Sequence, residues 1–209
     1  MGRYLITQSL ISSWAYTFEC FEGCEEDAKQ DFLRVLRKDR GEETEAMRNG
    51  KEFEKEVYLE ASGYPRKPHP NWEPGIRAVA RIIQGAPIQV KCSRPLEVDG
   101  ESFLVYGILD ALKAGVIYDV KFRNKPFPNS ENDSGVYGKY LNSAQHPFYF
   151  YIVPEAYEFQ YLLSDGVELY VETYHREDVR SAASIISEFI CSIRGMGLLD
   201  LYKEKWSAK

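Results

Sequence analysis

FLVYGILDALKAGVIYDVKF, residues 103–122, consists of two apolar runs rich in β-branched and aromatic residues, parted by Ala114-Gly115. Runs of this kind read as strands, and a two-residue break between them reads as a hairpin. If Ala114-Gly115 is the turn, Lys113 pairs with Val116. Counting outward then sets Asp110 opposite Asp119 and Ile108 opposite Lys121. Directly opposed residues share a sheet face, with Cβ atoms about 5 Å apart. Side chains alternate along a strand, so Asp119 and Lys121 fall on that face while Val120 and Phe122 pack on the other. Two carboxylates and one ammonium are thereby gathered among apolar neighbours. Carboxylates that close repel, and one takes up a proton unless a cation neutralises both. A divalent ion satisfies the pair, and oxygen-only ligands favour Mg²⁺ or Mn²⁺ over Zn²⁺. The competing reading is a salt-bridged hairpin, because an Asp-x-Lys alone carries little information.

Upstream, residues 43–62 read as a long helix that stops at Gly63. Its apolar stripe runs through Ala46, Met47, Gly50, Phe53, Val57, Tyr58 and Ala61, at a period near that of an α-helix. Glu54 lies inside the stripe, whereas Glu52, Lys55 and Glu56 point away from its centre. An ionised carboxylate on a core-facing side is costly without a partner. It is therefore either a stripe-edge glutamate reaching solvent or an arginine, or a metal ligand. Gly50, one turn earlier, is expected to admit a closely approaching segment.

Downstream, QHPFY at 145–149 places Gln145 and Tyr149 four apart, on one helix face. Asn142 or Ser143 can cap that helix, which makes Pro147 tolerable near its start. A glutamine amide and a phenol on one face suit phosphate or base contacts. Equally, Tyr149 reads as a core aromatic among Phe148, Phe150 and Tyr151.

Around these segments, 9–22, 25–38 and 75–84 read as helices, 88–98 as a strand, and 125–138 as a polar loop. A helix at 143–153, strands at 157–163 and 167–174, a helix at 176–194 and a short helical tail complete a mixed α/β domain. The 209 residues fit one domain: 1–85 mainly helical, 86–175 carrying the sheet, and 176–209 the last helices. A net charge of −6 argues against broad electrostatic adhesion to nucleic acid but leaves local basic runs, RVLRKDR at 34–40 and KFRNK at 121–125. No apolar stretch approaches the roughly 20 residues of a membrane span. The start is a poor signal peptide, and a cytoplasmic protein without membrane contact is expected. Cys20, Cys24, Cys92 and Cys191 are expected to be small core residues rather than disulfides or metal thiolates.

Taken together, these residues resemble the PD-(D/E)XK nuclease superfamily, in particular its RecB-like and phage lambda-type exonuclease branches. The resemblance runs in order from about Ser9 to Tyr151. SLISSWAYTFEC at 9–20 is similar to the opening helix of RecB-like nucleases. RNGKEFEKEVYLEASG at 48–63 is similar to the first catalytic helix of the phage enzymes, with Glu54 where many RecB-like members carry histidine. YGILDAL, YDVKF and QHPFY match the aspartate motif, the D/E-x-K strand and the Q-x-x-x-Y motif.

The resemblance implies a restriction-endonuclease-like core, a central mixed β-sheet flanked by helices, and a helical N-terminal part. It implies a DNA exonuclease acting on linear ends in phage recombination or DNA repair, an endonuclease being the alternative, and a non-catalytic nucleic-acid-binding module a second one. Glu54, Asp110, Asp119 and the carbonyl of Val120 would hold one or two Mg²⁺ or Mn²⁺ ions. Lys121 would orient the attacking water, and Gln145 and Tyr149 would bind substrate. A recombination or single-strand annealing protein is the implied partner. Cys191 stands alone in the C-terminal region, so no iron–sulfur cluster is expected.

Overall fold

A computed structural model describes residues 3–128 and 137–208. The chain runs β1 (Arg3–Thr7), α1 (Gln8–Glu19), α2 (Glu25–Arg37), α3 (Glu45–Ala61), α4 (Glu73–Ile83), β2 (Ile88–Val98), β3 (Glu101–Lys113) and β4 (Val116–Phe122). It continues with α5 (Gln145–Ile152), β5 (Glu158–Ser164), β6 (Leu169–His175), a 3₁₀ turn at Arg176–Asp178, α6 (Ala182–Gly195), α7 (Leu199–Lys205) and β7 (Ser207–Ala208). This is the mixed α/β architecture expected, a central mixed sheet flanked by helices. Among the described residues the sheet has seven strands, in the order β6-β5-β4-β3-β1-β7, with β2 also paired to β3.

Turn chemistry sets the two hairpins. Asp99-Gly100 and Ala114-Gly115 all hold positive φ, at 52°, 78°, 50° and 80°. That conformation belongs to the two-residue turns whose twist matches the strands they join. Lys113 accordingly pairs with Val116. Beyond Ala111–Tyr118 the β3–β4 ladder stops, one residue short of the expected Asp110–Asp119 pair. There the Asp110 carboxylate takes the Val120 N–H in place of a ladder carbonyl, while β4 continues in parallel register with β5, Asp119 beside Tyr161 and Lys121 beside Leu163. Asp110 meets β4 through its side chain instead.

The sheet forks at this point. Along one edge of β3, β2 pairs from Glu101 to Ala111. The opposite edge is shared by β1, in parallel over Ser102–Tyr106, and β4, over Ala111–Lys113. Neither covers Gly107–Asp110, and α5 packs into the gap. β1 and β7 answer to no expectation from the sequence, and the 176–194 helix is a 3₁₀ turn followed by α6, which Ser181 caps. Of the 125–138 loop, residues 129–136 lie outside the described residues.

Two apolar clusters flank the sheet. One gathers Phe32, Phe148, Phe159, Phe189 and their neighbours under α1, α2, α5, α6 and α7. The other gathers Phe53, Val57, Ile76, Val79, Val120 and Leu162 under α3 and α4. Val120 and Phe122 join the second cluster, while Ile117 joins the first, so Asp119 and Lys121 are in step with the face opposite α3 and α4.

Helix α3 begins where the Thr44 hydroxyl accepts the Met47 N–H at 3.2 Å, and ends at Gly63 with φ 71°. Its stripe buries Phe53, Val57 and Ala61, but Met47 is exposed. Gly50 does not serve the expected close approach, because a Cβ there would touch nothing within 4 Å. α3 is fixed to α4 by Arg66, whose buried guanidinium bridges Glu60 at 2.8 Å and Glu73 at 2.8 Å. The four cysteines are free thiols, and none is fully buried; Cys191 is exposed. Cys92 packs partly buried against the first cluster, in line with a small core residue, whereas for exposed Cys191 that expectation is corrected. Among the described residues no single helix is long and apolar enough to cross a membrane.

Candidate active site

Asp119 lies at the floor of the fork, 3% exposed. One carboxylate oxygen accepts a hydrogen bond from the Gln145 side-chain amide on α5. The other, Oδ2, stands 2.5 Å from the Lys121 ammonium, which is its counter-charge. Burial pushes the Asp119 carboxyl above the usual carboxylate range, and the charge of Asp110 adds to the rise. Lys121 and Gln145 oppose it. For Lys121, burial alone would lower the ammonium, but the facing carboxylates of Asp119 and Asp110 outweigh it and raise it. The D-x-K spacing thus yields a tight ion pair on one strand face.

Asp110 is held from two sides. Its Oδ2 accepts the Val120 N–H at 2.8 Å, and its Oδ1 accepts the Gln89 amide at 3.0 Å. Gln89 also donates to the Tyr58 hydroxyl at 3.0 Å. This residue escaped the sequence reading. Its φ of 54° departs from the strand conformation inside β2, opposite Asp110. A non-glycine residue in that region is uncommon, and such residues concentrate at functional sites. No local sequence signal marks it.

Glu54 comes from α3 and is half-buried. Its carboxyl is raised from the ordinary 4.5 to about 7, first by burial and then by the charges of Asp110 and Asp119, with Lys121 opposing. This mutual influence places Glu54, Asp110, Asp119 and Lys121 in one electrostatic field, although they come from three separate elements. Tyr58, one turn after Glu54, is raised by burial and by the same two acids, Asp110 and Glu54.

Gln145 and Tyr149 share the α5 face as expected but meet different groups. Gln145 reaches Asp119. Tyr149 is 6% exposed and donates its hydroxyl to the Ile108 carbonyl at 2.9 Å, on the edge that β1 and β4 leave open. Burial, then the nearby acids, pushes its phenol up to about 12. Its ring fills the space above Gly107, where a Cβ would collide with it. The expected cap is not formed: α5 starts from Ala144, which has no side-chain cap, and Ser143, one residue earlier, accepts the Gln145 N–H at 3.2 Å. Below, His146 bonds the Tyr161 hydroxyl at 3.0 Å and stacks on Tyr174 at 4.2 Å; burial drops its pKa to about 4.

As the side chains stand, no three of His, Cys, Asp and Glu among the described residues are grouped tightly enough to hold a metal ion. Nitrogen donors occupy the carboxylate oxygens: Lys121 and Gln145 on Asp119, Gln89 and Val120 on Asp110. The chemistry of the set nevertheless fits a hard cation. The Glu54 and Asp119 carboxyls are both raised, by burial and in part by the charge of Asp110, and such an oxygen-only set suits a hard cation.

No protein-family model matches the chain, and no curated protein matches it. Among solved structures, the chain is similar to the crystal structure of SSO0001, with a TM-score of 0.52 and 12% identity over 94% of this chain and 77% of that one. That likeness is one of fold alone. It also aligns with LHK-Exo, solved in complex with dAMP, with a TM-score of 0.46 and 13% identity over 96% and 92% of the two chains.

Proposed function

We propose that this protein is a divalent-metal-dependent deoxyribonuclease of the PD-(D/E)XK type, hydrolysing phosphodiesters at the fork between β1 and β4. The observation that supports it most is the shared field of Glu54, Asp110, Asp119 and Lys121. Glu54, Asp119 and Lys121, from a helix and a strand, shift one another's ionisation, and the charge of Asp110 on a second strand acts on all three. Perturbed carboxyl groups clustered in a cleft are a mark of reacting sites.

In this reading Glu54, Asp110, Asp119 and the carbonyl of Val120 hold Mg²⁺ or Mn²⁺. When bound, the ion supplies a low-pKa water and neutralises charge on the phosphate. Lys121 would orient the attacking water or face the pentavalent phosphorus. Gln145 keeps Asp119 in its rotamer. Tyr149, with its hydroxyl engaged by Ile108, acts by supporting the fork. Degradation from DNA ends, as in recombination or repair, is the finer form of the proposal, and an endonuclease its rival.

The test is a gel assay of the purified protein with end-labelled linear, covalently closed circular and single-stranded DNA, with Mn²⁺ and with chelator. Chelator-sensitive loss of linear DNA with circles intact is expected. Cutting of circles would favour the endonuclease. No degradation of any substrate would reject the nuclease reading. A second reading, a nucleic-acid-binding module without turnover, draws support from the nitrogen donors that already occupy Asp110 and Asp119. Calorimetry with Mn²⁺ separates the two, since that module has no need to bind it.

A further inference from the structure

Beside Lys121 the strand β4 opens into a cleft of about 280 Å³, lined by Lys121, Arg123, Lys125, Lys139 and Tyr140 among others. Four cationic side chains meet there, and no carboxylate lines it among the described residues. Lys121 has Asp119 as counter-charge. Arg123, Lys125 and Lys139 have no ion-pair partner among the described residues. Arg123 lies over the Phe127 ring at 5.0 Å and Lys139 over Tyr140 at 5.8 Å, and the Arg123 Nη1 is buried with no hydrogen bond. A buried guanidinium nitrogen without an acceptor is costly, the more so beside like charges. An anion with several oxygens relieves the repulsion among these like charges and offers the guanidinium acceptors.

The backbone that carries these groups is anchored. The Arg123 N–H bonds the Ser164 carbonyl at 2.9 Å, Asn124 accepts from Asn49 of α3 at 2.9 Å, and the Phe127 N–H bonds Asp165 at 3.1 Å. Arg123 and Lys125 are therefore carried on an anchored segment that directly follows β4, and Lys139 sits next to Tyr140, whose N–H bonds Glu172 at 3.1 Å. Guanidinium forks match phosphate oxygens in pairs, and lysines add point charges around them.

We propose that this cleft is a phosphate-binding subsite, Arg123 being its principal ligand and Lys125 and Lys139 its flanks, which seats a phosphate group of a nucleic-acid strand next to the one held at Lys121. The choice of a nucleic-acid strand as ligand rests on the nuclease reading; the anion chemistry does not. The phosphate is either the strand's terminal monophosphate or an internal phosphodiester, and the cleft binds the chemistry the two share.

The test is fluorescence anisotropy with short labelled single-stranded oligonucleotides in chelator, so that no turnover intervenes. Three probes carry no terminal phosphate, a 5′-phosphate or a 3′-phosphate. Arg123→Gln is expected to weaken binding at least tenfold. The triple variant with Lys125→Gln and Lys139→Gln should also flatten the salt dependence. A control triple, Lys29→Gln with Arg40→Gln and Lys67→Gln, removes the same charge outside the cleft and should stay within about twofold of wild type. A gain from a terminal phosphate that vanishes in Arg123→Gln identifies the terminal group; equal loss on all probes identifies an internal one. Absence of wild-type binding, or cleft variants no weaker than the control, overturns the subsite. Binding lost through the cleft in a protein that degrades no DNA would keep the subsite and remove the nuclease reading, and degradation indifferent to the cleft would do the reverse.

Discussion

Asp110 accepts the backbone N–H of Val120 at 2.8 Å, at the point where the β3–β4 ladder has just ended. A side chain thereby does what the next ladder bond would have done, and the two strands part without orphaning that N–H. The fork, and with it the setting of Asp119, depends on this one contact together with the turn of β4 toward β5.

The contact separates two variants that are usually treated as equivalent. Asp110→Asn keeps an oxygen for Val120 and should fold with little loss. Asp110→Ala leaves the N–H unsatisfied and should cost about 1–2 kcal/mol. Both should lose Mn²⁺ binding. Thermal denaturation beside calorimetry checks the pattern, and equal stability of the two would contradict the role given to Asp110.

Glu54 makes stability depend on pH in a fixed direction. Its carboxyl titrates near 7 in the folded chain against an ordinary 4.5. Between those values the native state binds more protons than the unfolded chain, so stability falls as pH rises toward 7 and stays lower above it. Glu54→Gln should therefore be more stable than wild type at pH 8, by about 1–2 kcal/mol for a part-exposed group, and equal to it near pH 4.5. Mn²⁺ should raise the wild-type melting temperature more at pH 8 than at pH 6, since the ion competes with the proton.

Lys121 is the counter-charge of a buried acid. Lys121→Ala should lower stability at neutral pH by about 3 kcal/mol, the low end for a broken buried pair. Its deficit should shrink in mild acid, where Asp119 takes up a proton instead. A pH-independent deficit would show that Asp119 is not the group left exposed.

Gly107 and Tyr149 fit as a pair. Gly107→Ala should cost about 2–3 kcal/mol by overpacking against the ring. Tyr149→Phe should cost about 1 kcal/mol for the bond to Ile108. Gly107→Ala combined with Tyr149→Leu should be less damaging than the sum of the two single changes, because the collision is then removed. Strict additivity would argue against the contact.

Local signals were legible in the sequence where a few adjacent residues decide the outcome. Residues 116–122 form β4 as read, because positive φ at Ala114 and Gly115 leaves the register no freedom. Asp119, Lys121 and Gln145 meet, since a strand period and a helix turn govern where they point. The fork was illegible: β1 joins β3 across about a hundred residues of chain, and nothing in RYLIT names that partner. For the same reason Asp110 could be counted to Asp119 but not to the Val120 N–H. Gln89 was missed because its left-handed backbone has no glycine to announce it. The Tyr149 ring was read from helix spacing, while its hydroxyl partner depends on an edge visible only once the sheet is assembled.

The account stands or falls on release of acid-soluble nucleotides from linear DNA by wild type and by Asp119→Asn, both purified to homogeneity and assayed in Mn²⁺. Metal-dependent release by wild type, abolished by chelator, is predicted, with a loss of at least a hundredfold in the variant at a temperature where circular dichroism shows it folded. Comparable release by the folded variant, or none by wild type, would contradict it.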